Sequence, residues 1–182
     1  MLPLVIELTP EDWDERTEEF IPAKTVTLQL EHSLVSLKKW ESKWKRSFLS
    51  SRQGLTIEET IDYIRCMTLT QNVKPEVYQR LSQKNINDVN DYIMDSMTAT
   101  TFSDKNGKKG RNEIITAELV YYWMFSLGIP IECQKWHLNQ LLTLIRVCSA
   151  KNAPPTKTSK ADLAAQYAAM NAARRKQLNT KG

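Results

Sequence analysis

The 182-residue chain has only three cysteines, two histidines and five glycines, and its apolar runs are short. Cys66, Cys133 and Cys148 are odd in number and share no CxxC spacing, so neither a disulfide framework nor a cysteine zinc knuckle is expected. They read as small apolar residues of a reduced chain. The most apolar window, Ala117 to Leu127, covers about 11 residues and contains Glu118, whereas a membrane span needs about 20. Met1 to Leu8 lacks a basic segment and carries Pro3 and Glu7, unlike an export signal. A soluble protein of the cytoplasm is therefore expected. Low glycine and long proline-free stretches point to helix. No internal repeat is visible.

Chemistry is also sparsely provided for. Two histidines, His32 and His137, leave little room for a catalytic triad, and no G-x-S-x-G elbow is present. Cys133 and His137 stand at i, i+4, a spacing that could offer two metal ligands, but structural zinc needs four. The plainer reading is a packing cysteine beside a hydrogen-bonded histidine. Asn106-Gly107-Lys108-Lys109-Gly110 has the composition of a phosphate loop without its GxxxxGK[ST] order. The acidic run Glu11 to Phe20, with six carboxylates and one arginine, lacks the alternating pattern and glycine hinge of a calcium loop and reads as a solvated connection. Lys38 to Arg46 interleaves bases with Trp40 and Trp44, as single-strand nucleic-acid binders do. The tryptophans share a helical face with Leu37 and Phe48, so core burial under a solvated basic face is the competing reading. No catalytic residue, cofactor or metal is expected, and the chain does not read as an enzyme.

What is present is a core and an arm. The hydrophobic fraction is 41% and the charged fraction 25%, ordinary for a globular protein. Leu4 to Leu8 and Thr25 to Leu30 read as strands that could pair as an antiparallel hairpin with a long connection. Leu34, Leu37, Trp40, Trp44 and Phe48 recur at helical spacing behind a Ser33 cap, with Gly54 at the following turn. Thr56 to Glu59 forms a capping box, followed by an inner face of Ile57, Ile61, Ile64 and Leu69, with Tyr63 and Met67 beside it. Further helices are expected from Pro75, from about Asn87 to Met97, from Asn112 to Leu127 and from about Ile131 to Cys148. The Asn112 helix is apolar on nearly every side, as in a buried helix, with Gly128 and Pro130 as its stop. The last places Trp136, Leu138, Leu141, Leu142, Leu144 and Ile145 in the core. Ser103 to Arg111 reads as an exposed loop.

Composition changes after residue 150. Lys151 to Lys160 reads as a linker, and Lys160 to about Leu178 as an alanine-rich helix with a thin apolar stripe. Residues 151–182 hold seven Lys/Arg and one Asp, so +6, while the other 150 residues hold 18 basic and 20 acidic side chains, so −2. The expected organisation is a mainly α body over residues 1–150, with a strand pair in 1–30, a 151–160 linker, and a basic C-terminal helix or arm over 161–182. The body reads as a compact bundle of about five or six helices with a small N-terminal β-hairpin. Leu163, Tyr167, Met170, Arg174 and Arg175 are the candidate partner-binding residues. The alternative for this arm is a solubilising, fraying terminus.

The stretches LEHSLVSLKKWESKW (Leu30–Trp44), IDYIRCMTLTQNV (Ile61–Val73), MTATTF (Met97–Phe102), ITAELVYYWM (Ile115–Met124), QKWHLNQLLTLIRVC (Gln134–Cys148) and NAARRKQLNTKG (Asn171–Gly182) span most of the chain. Together they resemble small proteins of the tail-morphogenesis regions of tailed bacteriophages, and within these the tail assembly chaperone group. The resemblance implies a non-catalytic protein that coats the long, aggregation-prone tape measure protein in the bacterial host cytoplasm while tail tubes polymerise. It carries no motif from which binding residues transfer. A structural tail or head-tail connector protein that stays in the virion, with self-association, is the alternative. A nucleic-acid binder using the basic arm is the weaker one.

Overall fold

Two short segments rich in branched apolar residues, the second alternating apolar with polar, build the first element pair. The computed structural model describes residues 1–14, 16, 18–102, 114–153 and 160–178, with backbone alone for 160–163 and 166. The expected loop at Ser103 to Arg111 and residues 154–159 of the expected linker lie outside them. Strand β1 (Leu2–Thr9) pairs antiparallel with β4 (Lys24–Leu30) in the register Leu2↔Leu30, Leu4↔Leu28 and Ile6↔Val26. Leu4, Ile6, Leu28 and Leu30 are buried on its inner face. A lone two-stranded ribbon is marginal in water, and here both strands are braced. The Asn85 amide donates to the Val5 carbonyl at 2.9 Å. On the other edge of β4, Leu69 N–H donates to Gln29 O at 2.8 Å and Glu31 N–H to Met67 O at 2.9 Å.

The acidic connection is more ordered than expected. It folds into a second ribbon, β2 (Asp12–Asp14) with β3 (Glu19–Ile21), in which Trp13 lies opposite Phe20. Period-two alternation over three residues is too short to announce a strand. The ribbon forms because the pairing of β1 with β4 brings its two ends together.

Eight α-helices follow among the described residues: α1 (Leu34–Trp44), α2 (Phe48–Ser51), α3 (Ile57–Met67), α4 (Pro75–Gln79), α5 (Gln83–Met94), α6 (Ala117–Ser126), α7 (Leu138–Asn152) and α8 (Lys160–Leu178). The protein is mainly α-helical with a small N-terminal sheet. It divides into two compact units, Met1–Ser149 and Ala150–Gly182.

Local signals explain most helix starts. Ser33, Thr56 and Ser82 each close a capping box with the residue three positions on. The Ser82 box starts α5 at Gln83, earlier than the expected Asn87. At Lys45 the backbone turns left-handed (φ 55°), which ends α1 and hands Phe48 to a separate short helix rather than to the end of one long one.

The inner face of α3 also differs from expectation. Tyr63, Ile64 and Met67 are buried, but Ile57 is 75% exposed and Leu69 is exposed. Buried acids explain the roll. Asp62 accepts from Lys43 Nζ at 2.5 Å and from the Trp44 indole N–H at 2.9 Å, and Glu59 pairs with Arg46. These pairs turn α3 toward α1 and leave Ile57 outside.

Helix α6 is not buried on all sides. It begins at Ala117 behind a Thr116 cap and buries only Ala117, Val120 and Met124, while Tyr122 and Phe125 stay exposed. It ends as expected. Gly128 (φ 67°) donates to Phe125 O at 3.2 Å and Ile129 to Met124 O at 2.9 Å, a Schellman pair closed by the buried Ile129 and Met124. After it, a 3-10 turn (Ile131–Lys135) interrupts the expected helix, and Trp136 is 43% exposed rather than in the core. The Leu138 N–H donates to His32 O at 2.7 Å, so α7 starts there and buries Leu138, Leu141 and Ile145.

One buried carboxylate joins three helices. Glu41 of α1 accepts from Phe48 N–H at 3.0 Å and from Ala117 N–H at 2.7 Å, the first residues of α2 and α6. Replacing Glu41 by Ala strands two buried donors and is expected to cost about 3 kcal/mol in denaturant unfolding; a loss under about 1 kcal/mol would contradict this role. Gly128→Ala meets open space, so only the left-handed backbone opposes it. About 1 kcal/mol is expected.

Candidate partner-binding surface

Alanine, the best helix former, supplies much of α8 and leaves few side chains large enough to bury. Leu163, Tyr167, Met170, Arg174 and Arg175 all fall within this helix. Tyr167, Met170 and Arg174 recur at three- and four-residue steps, one stripe along the helix, and Arg175 sits about 100° round from Arg174. Leu163 precedes Tyr167 by four residues; its side chain lies outside the described set. Tyr167 is 58% exposed and Met170 54%, and Leu178 at the far end is exposed too. Fully covering such a side chain is worth roughly 1.5–3 kcal/mol, so the stripe favours an apolar partner, and Arg174, Arg175 and Lys176 favour an acidic one.

The first unit carries two apolar surfaces that the sequence reading did not single out. Trp13 and Phe20 sit opposite each other on the β2–β3 ribbon, both exposed, among carboxylates. Directly opposed residues share a face, so the two rings form one patch. Tyr122 and Phe125, one turn apart on α6, are exposed as well, Phe125 to 67%. Trp13 and Phe20 are visible in the sequence only as two aromatic residues inside the acidic run. The exposed face of α6 was hidden, since an all-apolar helix does not say which side faces out.

The two histidines lie in the core together. Their rings are 5.2 Å apart, edge to face. His32 Nδ1 meets the Tyr63 hydroxyl at 2.6 Å, and His137 Nε2 donates to Tyr92 O at 3.1 Å. The Tyr92 hydroxyl donates to Glu31 at 2.8 Å. Burial, then the neighbouring His137 and Arg52, pulls His32 down to about 3. His137 is lowered too, chiefly by burial. Burial raises both tyrosines, so the phenols stay protonated and donate. Cys133 is buried near this region, but no group of three or more metal-ligating side chains occurs among the described residues. Nor is any helix among them long and apolar enough to cross a membrane.

Comparison with known protein families, with curated proteins and with solved structures finds no match.

The histidine pair sets a pH dependence. A base whose folded-state pKa lies below its unfolded value of 6.5 gains protons on unfolding, so its contribution is complete above about pH 6.5 and declines as pH falls toward about 3. Urea unfolding between pH 7 and 4.5 should lose up to about 1.4 kcal/mol per pH unit from His32, and His137 adds a loss of the same sign. His32→Gln should flatten that slope, and an unchanged slope would exclude His32 as its source.

Proposed function

We propose that this chain is an assembly chaperone of the phage-tail kind, which covers apolar stretches of a long helical partner, the tape measure protein, in the cytoplasm of a bacterial host. The observation that carries the reading is α8: a 19-residue helix whose larger apolar side chains, Tyr167 and Met170, stand exposed in line with Arg174. Such a stripe suits close, shallow contact with another amphipathic helix, because alanines let the backbones approach. The arginines add attraction to an acidic face without demanding one geometry. The exposed rings of Tyr122 and Phe125 on α6 supply more apolar surface of the same character. Binding is the whole of the proposed activity; no catalytic step is part of it.

Two substitution pairs test the arm. Tyr167→Ala with Met170→Ala, and Arg174→Glu with Arg175→Glu, should each weaken capture of a co-expressed tape measure chain by about tenfold. Their thermal midpoints should stay near that of the unaltered protein, because these side chains are exposed. Undiminished capture in both pairs would remove the arm from the interaction. Mass spectrometry of purified particles should find the protein absent. Near-stoichiometric copies there would replace the chaperone by a structural tail or connector component.

A further inference from the structure

A pocket of about 220 Å³ opens between α2, the 3-10 turn at Arg52–Gly54, α3 and α5. Its floor is apolar and buried: Phe48, Tyr63, Ile64 and Val89, with the Phe48 and Tyr63 rings stacked at 3.7 Å. Arg52 and Asn90 stand nearer the solvent. Among the described residues, Arg52 is the only charged one lining the pocket. Its guanidinium makes no ion pair and no hydrogen bond among the described residues. The groups that feel it are the Tyr63 phenol and the His32 imidazole, neither of them an anion at neutral pH.

A guanidinium cannot shed its proton to relieve this position. Partly desolvated charge is stable when an anion accepts its fixed fork of donors. The pocket therefore contains one half of an ion pair and an apolar floor below it. Size and charge narrow the missing half. A dry cavity of about 150 Å³ admits benzene, so the present one has room for a ring and a short acid. A phosphate dianion would want a second cation, and the described lining residues supply only Arg52.

We propose that this pocket binds a small apolar monocarboxylate, with Arg52 taking the carboxylate and the stacked Phe48 and Tyr63 rings taking a phenyl or branched alkyl group. The same chemistry is offered by a free acid and by the C-terminal residue of a peptide chain. The pocket does not rest on the chaperone reading, because it lies apart from the residues that carry it in sequence and uses none of them.

The test is titration of the full-length protein, followed by amide NMR, with three probes: 3-phenylpropionate, its neutral amide, and acetyl-Gly-Gly-Phe with a free carboxylate. The acid is expected to bind with a Kd on the order of 1 mM or below, shifting amides of α2, α3 and α5, and the amide at least about tenfold more weakly. Tighter binding of the peptide assigns the pocket to a chain terminus; tighter binding of the free acid assigns it to a metabolite. Arg52→Gln should lose the preference for acid over amide. Thr60→Phe, at a half-buried position of the lining, should block both without touching the charge. The proposal is overturned if neither acid saturates below about 10 mM, if the amide binds equally, or if both variants bind the acid unchanged.

Discussion

The carboxylate of Glu41 is the joint on which the helical part of this protein turns. Burial pushes its pKa up, and the N–H groups of Ala117 and Phe48 pull the other way. A lone carboxylate in that position would be costly. Two helix starts, each presenting unpaired N–H groups and the positive end of a peptide dipole, make it tolerable. The arrangement binds α1, α2 and α6 to one point. Ser47 adds a second tie, its hydroxyl donating to Ile115 O at 2.6 Å. From this joint follow the placement of Phe48 against Tyr63, and hence the pocket floor, and the orientation of α6 that leaves Tyr122 and Phe125 outside.

What could be read in advance was what depends on neighbours in sequence. The Ser33 and Thr56 caps, the short strand segments on either side of the acidic run, the glycine stop at Gly128 and the span of α8 are all local, and the chain shows each where its signal stands. The misread features share a different cause. Ile57 is outside and Tyr63 inside because Asp62 and Glu59 seek Lys43 and Trp44 on α1 and Arg46 just after it. Trp136 is outside because Leu138 is tied to His32, more than 100 positions earlier. Apolar periodicity weighs greasy residues and overlooks buried acids, so it misplaces the edge of the α3 face: Ile61 and Ile64 pack inward as expected, and Ile57 does not. The candidate arm residues could be placed on one helix from spacing alone. The pocket could not, because Arg52 and Val89 are joined only by packing.

The buried polar cluster has a related logic. His32, Tyr63, His137 and Tyr92 fill space between the strand pair, α3, α5 and the start of α7. As neutral rings they pack edge to face, His32 against the Tyr63 hydroxyl and His137 donating to the Tyr92 carbonyl. A proton on either histidine would sit in a place where the surroundings favour the uncharged form. These two histidines are thus better placed to hold elements in register than to move protons.

The proposed function makes a demand on energetics that a single arm does not meet alone. Tyr167 and Met170 already have part of their area covered in the free protein, so each offers on the order of 1 kcal/mol when a partner covers the rest. Association itself costs at least about 4 kcal/mol in lost freedom. One arm on one short helix would therefore hold weakly. Each copy on a long partner meets that cost anew, so under the proposed reading the coat holds where neighbouring copies also touch one another. On that reading such a coat would be firm as a whole and loose at every contact, so that it could be stripped one copy at a time as a growing tube claimed the partner. A deeper, better-packed arm would bind one target more tightly and would also be harder to remove.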